Sequence, residues 1–240
     1  MIEPSVERLA WDSSFFGFEV GRLHVSACMN QNRIIEAIVD SGCRCVYVYI
    51  PHEQASRCGE SEFECARHVL ASAGMKCYDI RTSYSKQIDN ADLRNGVFTA
   101  DEITPELEDI AIASGVHSRF LKDERLRPYF RGLYLEWLKK DFQQGGVFVH
   151  RGIKGPDGIL TVSNEGGTGR IGLLAVDSKS RRTGVATSLL RNADSWMCAR
   201  GVGHVEVCTQ GENAEARHLY EKSGFSMTAQ TEVWHVWVDF

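Results

Sequence analysis

The sequence lacks any long apolar run. Its longest, CVYVYI at Cys45–Ile50, falls far short of the roughly 20 residues that a membrane-spanning helix needs. The opening MIEPSVERLAW shows no basic segment followed by an apolar one, so no signal peptide is expected and the cytoplasm is the expected location. Positive charge is not in excess. The 27 Lys and Arg face 32 Asp and Glu, a net charge of −5, which argues against nucleic acid as the main partner. There are eight cysteines but no CxxC pair and no histidine at zinc-finger spacing. Neither a metal site nor a disulfide framework is expected, and the thiols should be reduced and mostly buried. Repeats and low-complexity stretches are absent. So are a GxGxxG fingerprint and a Walker A loop, which would carry a Lys after its last Gly.

What is present is a chain with enough apolar residues, 43%, for one or two globular domains with a real core. The first part reads as mixed α/β. Arg33–Gly42 has helical spacing and a Gly stop, and CRCVYVYI (Cys43–Ile50) reads as a buried strand. Glu60–Gly74 is helical again, and Met75–Ser85 is a second strand, which together suggest a β-α-β-α-β piece. Near the start, Trp11, Phe15 and Phe16 are expected in the core, with Asp12 and Ser13 in a turn. The polar stretch Lys86–Gly96 reads as a linker, which divides the chain into a domain of residues 1–93 and one of residues 94–240.

In the second part, Thr104 is the expected N-cap of a helix with Pro105 in its first turn. Phe130, Leu133, Tyr134, Trp137 and Leu138 share one helical face. Three strands follow in an antiparallel meander: Val147–Ile153, Ile159–Asn164 and Arg170–Val176. Gly155-Pro156-Asp157-Gly158 is the expected turn between the first two. A helix with the stripe Val185, Leu189, Ala193 and Trp196 stops at Gly201. His204–Thr209 is a strand, Asn213 caps another helix that stops at Gly224, and Thr231–Phe240 alternates as a last strand.

The segment SRRTGVAT (Ser180–Thr187) joins a strand to a helix. The first amides of a helix have no partner within it and carry the positive end of its dipole, so such a junction suits an anion. The amides from Arg182 to Thr187 could converge on one phosphate. Gly184 and Ala186 keep the approach open, and Arg181 and Arg182 add charge. Taken alone, the segment reads first as a tight turn with solvated arginines.

The segment does not stand alone. Arg181-x-x-Gly184-x-Ala186, followed by NAEARHLYEKSGF with Asn213, Ala216, Leu219, Tyr220, Gly224 and Phe225, resembles the motifs of the Gcn5-related N-acetyltransferase (GNAT) superfamily over about residues 145–240. The family pattern allows Ala at its last Gly position. The resemblance implies an α/β (α+β) chain: a GNAT fold with a central mixed, mostly antiparallel, twisted sheet, preceded by a smaller N-terminal α/β domain. It implies acetyl-CoA as cosubstrate. The pyrophosphate would lie against Arg181, Arg182, Thr183, Gly184, Val185, Ala186 and Thr187. A bulge at Leu174, Ala175 and Val176 would expose backbone to the pantetheine arm, with Asn213 and Ala216 beside it. Tyr220 would act as general acid toward the leaving thiolate, a phenol of pKa about 10 against a thiol of about 8.5. For the base that frees the amine, His117, Asp123 and Glu124 all remain candidates.

LAWDSSFFGFEVGRL (Leu9–Leu23), HSRFLKDERL with YLEWLKK (within His117–Lys140), and Thr209-Gln210 further resemble the TDP-fucosamine acetyltransferase group. That likeness implies a nucleotide-linked amino sugar as acceptor, of the TDP-4-amino-4,6-dideoxyhexose type, and a role in polysaccharide biosynthesis. His117, Ser118, Arg119, Phe120 and Gln210 would contact it: an Arg fork for phosphate and an aromatic face for stacking. Other acceptors, a peptide amine or an aminoglycoside, stay open, as does a module that binds acetyl-CoA without turnover. No metal is expected. The end of the last strand, Val236–Phe240, offers an edge for a homodimer.

Overall fold

The computed structural model describes residues 2–52, 62–88 and 97–239. The expected boundary between residues 93 and 94 lies outside the described residues, as do Cys58, the first two residues of the expected helix at Glu60, and the end of the linker.

In chain order the elements are β1 (Glu7–Arg8), α1 (Ala10–Phe16), β2 (Val20–His24), α2 (Ile34–Asp40), β3 (Cys45–Pro51), α3 (Glu64–Ser72) and β4 (Lys76–Gln87). Then come β5 (Val97–Thr99), α4 (Pro105–Ala113), α5 (Arg119–Lys122), α6 (Phe130–Gln143), β6 (Val147–Gly152), β7 (Gly155–Glu165) and β8 (Thr168–Val176). The last are α7 (Val185–Cys198), β9 (His204–Gln210), α8 (Ala214–Lys222) and β10 (Ser226–Trp237).

The chain divides into two compact units: Met1–Thr82 with Ala229–Phe240, and Ser83–Thr228. In the first, the strand order is β1-β2-β3-β10-β4. β2 and β3 are parallel, as the β-α-β connection through α2 requires, and β10 runs antiparallel to β3. Val46, Val48, Ile50 and Trp234 pack with Ile34 and Ile38 of α2 and Ala66 and Leu70 of α3 to form the core. In the second unit the order is β4-β9-β8-β7-β6-β5. β5 to β8 form the antiparallel meander, and β8 and β9 are parallel. α7 packs Val185, Leu189, Ala193 and Met197 into one core. Leu107 and Ala111 of α4 pack with Tyr134 and Leu138 of α6 in another.

Local chemistry sets several element ends. The Thr104 hydroxyl accepts from Leu107 N (3.4 Å) at the start of α4. Gly201 and Gly224, with φ of 73° and 86°, follow the ends of α7 and α8.

The structure departs from the sequence reading in five places. Asp12 and Ser13 lie in α1 rather than in a turn. Only Phe16 of that aromatic group is buried; Trp11 is 47% exposed, its ring stacked on Phe15. The turn after β6 falls at Ile153–Lys154, so Gly155–Gly158 begins β7, with Pro156 beside a register shift at His150/Arg151 where a missing N–H is tolerated. The last strand starts at Ser226, and from Ala229 on it belongs to the first unit. There Val236 pairs with Val46 and Trp237 with Cys45, and Val238 N donates to Arg44 O (2.9 Å). The edge suggested for a homodimer is thus already paired with β3. Finally, of the seven described cysteines, all unbonded to one another, only Cys43 and Cys45 are buried.

Among the described residues, no helix is long and apolar enough to cross a membrane, and no three His, Cys, Asp or Glu side chains group as a metal site.

Candidate active site

The site is built from the point where β8 and β9 part. Their ladder runs from Thr168↔His204 to Ile171↔Val207 and goes no further, although β8 continues to Val176 and β9 to Gln210. The cause lies on the other edge of β8. Val162 opposes Ile171 but Leu160 opposes Leu174, so Gly172 and Leu173 together face Thr161. This is a bulge, with one extra residue on β8. It sits just before the Leu174–Val176 stretch the sequence suggested; those three residues pair regularly with β7 on one edge. Leu173 N donates to the Thr161 hydroxyl oxygen (2.9 Å), and the Thr161 hydroxyl is bonded to the carboxylate of Asp141 on α6. Burial pushes the Asp141 carboxyl above its ordinary range, against the Thr161 hydrogen bond. A side chain at Gly172 would meet both Thr161 Oγ1 and Asp141 Oδ2, within 2.9 Å of each.

Past Val176 the chain turns sharply. Asp177 accepts from Lys179 N (2.9 Å) and Asp177 N donates to Asp157 O (2.8 Å), which ties the turn to β7. Arg181 Nε folds back to Val176 O (3.3 Å), and its guanidinium lies 4.0 Å from Glu215. Arg182 has φ of 64° and Gly184 φ of 95°. Gly184 is the N-cap of α7 without a side-chain cap, and the first backbone bond of the helix runs from Ser188 N to Gly184 O (3.0 Å). The amides of Val185, Ala186 and Thr187 are therefore the open donors of the helix start. No atom lies within 4 Å of where a Gly184 Cβ would be, so an anion can approach this backbone closely.

These parts meet in one cleft of about 490 Å³. Leu174, Ala175 and Val176 form one wall. Arg181, Arg182, Gly184, Val185, Ala186 and Thr187 form the next, and Asn213, Ala216 and Tyr220 of the α8 region a third. A fourth side comes from Ala113 at the end of α4 and from Ser114, Val116 and His117 between α4 and α5. Thr183 alone of the expected acetyl-CoA residues does not line it; its hydroxyl donates to Ser180 O (2.7 Å). Asn213 caps α8, its side-chain oxygen accepting from Ala216 N (3.1 Å).

Tyr220 is buried, with Tyr84 and Phe225 packed around its ring at centroid distances of 5.9 and 5.6 Å. Burial pushes its phenol well above the ordinary tyrosine range, and nearby Cys208 adds to the shift. A protonated phenol can donate a hydrogen bond. The close pKa match to a thiol expected from the sequence does not hold in this environment.

Of the suggested acceptor residues, only His117 reaches the cleft. Ser118 is buried and caps α5, its hydroxyl oxygen accepting from Phe120 N (3.2 Å). Phe120 is 6% exposed, edge-on to Trp137, with the Arg119 guanidinium 4.1 Å from its ring centroid. It offers no free stacking face. Gln210 ends β9, where its carbonyl accepts from Asn213 N (2.9 Å). Of the suggested bases, Asp123 is buried and accepts from Arg125 N (2.9 Å), and neither it nor Glu124 lines the cleft. The sequence reading named none of Ala113, Ser114, Val116, Glu215, His218 and Lys222, which also line the cleft. Nothing in residue type or spacing marks them, since they arrive from the end of α4, the segment after it and the exposed side of α8.

Residues 119–225 match the Acetyltransferase (GNAT) family. Over 95 residues the chain is 38% identical to a mycothiol acetyltransferase from Beutenbergia cavernae, a match that covers 40% of this chain and 29% of that protein, less than a third of the relative's length. Among solved structures, a GCN5-related N-acetyltransferase from Sphaerobacter thermophilus is similar with a TM-score of 0.57 at 14% identity, over 92% of this chain and 75% of that one. A conserved protein of unknown function from Staphylococcus epidermidis gives a TM-score of 0.60 at 9% identity, over 95% and 90%. At such identities the likeness is one of fold.

Proposed function

The protein has the GNAT fold, with residues 119–225 matching that acetyltransferase family, and from this premise we propose that it is an acetyl-CoA-dependent N-acetyltransferase acting on a small-molecule amine. One observation carries the reading. The open amides at the start of α7, the unpaired edge of β8 and the Tyr220 side chain all face a single cleft.

The residues present fit acetyl-CoA, which would supply a thioester carbonyl and a thiolate leaving group. Val185, Ala186 and Thr187 N–H groups, with Arg182, would hold the pyrophosphate at the positive end of α7. Gly184 permits the approach. The free edge of β8 at Leu174–Val176 offers backbone groups to the extended arm and donors to charge that develops on the carbonyl oxygen. The Tyr220 hydroxyl would donate a hydrogen bond to the sulfur as the C–S bond breaks.

The acceptor is less constrained. The similarity to a mycothiol acetyltransferase supports acetyl transfer to a small molecule. The narrower reading, a nucleotide-linked amino sugar, rests on the sequence resemblance alone, since of the HSRF stretch only His117 lines the cleft. That acceptor belongs in the test with an aminoglycoside and a peptide bearing a free amine. Thiol release from acetyl-CoA, measured with each amine in turn, tests the proposal. Amine-dependent release is expected. Stabilisation by acetyl-CoA with no release on any amine would instead favour a binding module.

A further inference from the structure

We infer that His117 is the group that takes the proton from the acceptor amine, with Glu212 as its positioning residue; the inference rests on the transferase reading above. An alkylammonium cannot attack a carbonyl, so a proton acceptor is needed at the cleft. His117 lines the cleft, on the segment between α4 and α5. Its Nδ1 lies 3.3 Å from Glu212 Oε1, and the same carboxylate oxygen is 2.7 Å from Lys122 Nζ.

The chemistry of the partner fixes the ring. The Lys122 hydrogen bond, chiefly, and His117 itself hold the Glu212 carboxyl below its usual range. Glu212 is therefore ionised and can only accept. His117 Nδ1 must donate to it, which leaves the lone pair of the neutral ring on Nε2. The backbone of Glu212 is anchored as well. It lies between β9 and α8, where Asn213 N donates to Gln210 O and Ala214 N to Glu212 O (both 2.9 Å). The carboxylate that orients His117 is thus next in sequence to the Asn213 cap of α8.

The other titratable groups at the cleft suit the role less well. Arg181, Arg182 and Lys222 are cations, and Glu215 lies 4.0 Å from the Arg181 guanidinium. His218 also lines the cleft, but among the described residues no carboxylate holds its ring.

The step balances as follows. The ammonium gives one proton to His117 Nε2. The freed nitrogen lone pair forms the N–C bond to the thioester carbonyl, and the C–S bond breaks with its electron pair on sulfur. The sulfur ends as a thiol, the second nitrogen proton replacing through solvent any proton taken from Tyr220. The imidazolium then loses its proton to solvent. The net products are an amide, a free thiol and one proton.

The test uses the full chain, acetyl-CoA and 2-aminoethanol as a small amine probe beside the amine panel. H117A should lose on the order of 10²-fold in kcat, keep its thermal stabilisation by acetyl-CoA, and regain thiol release above the enzyme-free rate when imidazole is added. The acid limb of the wild-type kcat/KM profile should flatten in H117A. E212A, which keeps the ring but removes its acceptor, should lower kcat with a smaller change in KM. H117A with wild-type turnover, or loss that imidazole does not restore, would overturn the assignment while leaving the transferase reading intact. A wild-type protein that releases no thiol with any amine would overturn both.

Discussion

Under the proposed function, the surroundings of Tyr220 decide what its side chain can do. It is buried, its phenol is pushed up by that burial, and it faces the cleft. Y220F should lower kcat on the order of 10²-fold while acetyl-CoA still raises the melting temperature; wild-type turnover in that variant would remove Tyr220 from the mechanism. Gly184 is a second residue whose type is dictated, here by its backbone. At φ of 95° an L side chain costs roughly 1–2 kcal/mol. G184A should lose about that much stability in denaturant titration and bind acetyl-CoA more weakly. Gly184 and Asn213 were legible in the sequence as helix-start residues because spacing ties each to a helix N-terminus, whereas the role of Tyr220 was implied only by the motif resemblance. Phe120 was not legible. An aromatic residue after an arginine looks the same in sequence whether its ring faces a ligand or, as here, Trp137 in the interior.

At the level of elements, the cleft depends on the bulge in β8. Leu173 N, the Thr161 hydroxyl and the Asp141 carboxylate form a short chain of hydrogen bonds across β8, β7 and α6. Replacing Thr161 with Val keeps the shape but strands a buried N–H and a buried carboxylate, at a cost of about 1–3 kcal/mol. T161V should therefore unfold at lower denaturant concentration and show a raised KM for acetyl-CoA. An unchanged midpoint would show that the network does not hold the bulge. The helices and most strands were legible from apolar period and caps: the α6 face and the Thr104 and Asn213 caps follow from spacing alone. The bulge position and the turn at Ile153–Lys154 were not. Both depend on pairing register with a neighbouring strand, and local sequence fixes register only weakly when a Gly-Pro-Asp-Gly run mimics a turn.

For the whole molecule, the sequence suggested two consecutive domains, whereas the chain folds into two units of which the first takes both ends of the sequence. Local patterns mark Thr231–Phe240 as a strand but say nothing of its partner. Within that first unit, Glu232 ties distant parts of the sequence together. His52 Nδ1 and Arg67 Nε lie 3.0 and 2.9 Å from one of its oxygens, and Trp234 Nε1 donates to the other at 3.0 Å. Burial alone would raise this carboxyl, but the three hydrogen bonds and the Arg67 charge outweigh it and hold it below the usual glutamate range. The sign follows from that depression. The stabilisation is full above the unfolded-state pKa and is lost as pH falls through the lower folded-state value. Thermal scans from neutral to acid pH should show the wild type losing stability more steeply than E232Q; parallel curves would remove Glu232 from the acid response.

The amine-dependent release of thiol from acetyl-CoA is the measurement to make first, with acetyl-CoA alone and buffer alone as references. We expect acetyl-CoA to stabilise the protein, and at least one small-molecule amine to release thiol at a rate that Y220F lowers on the order of 10²-fold. No stabilisation by acetyl-CoA, and no release with any amine, would contradict an acetyl-CoA site at the parting of β8 and β9.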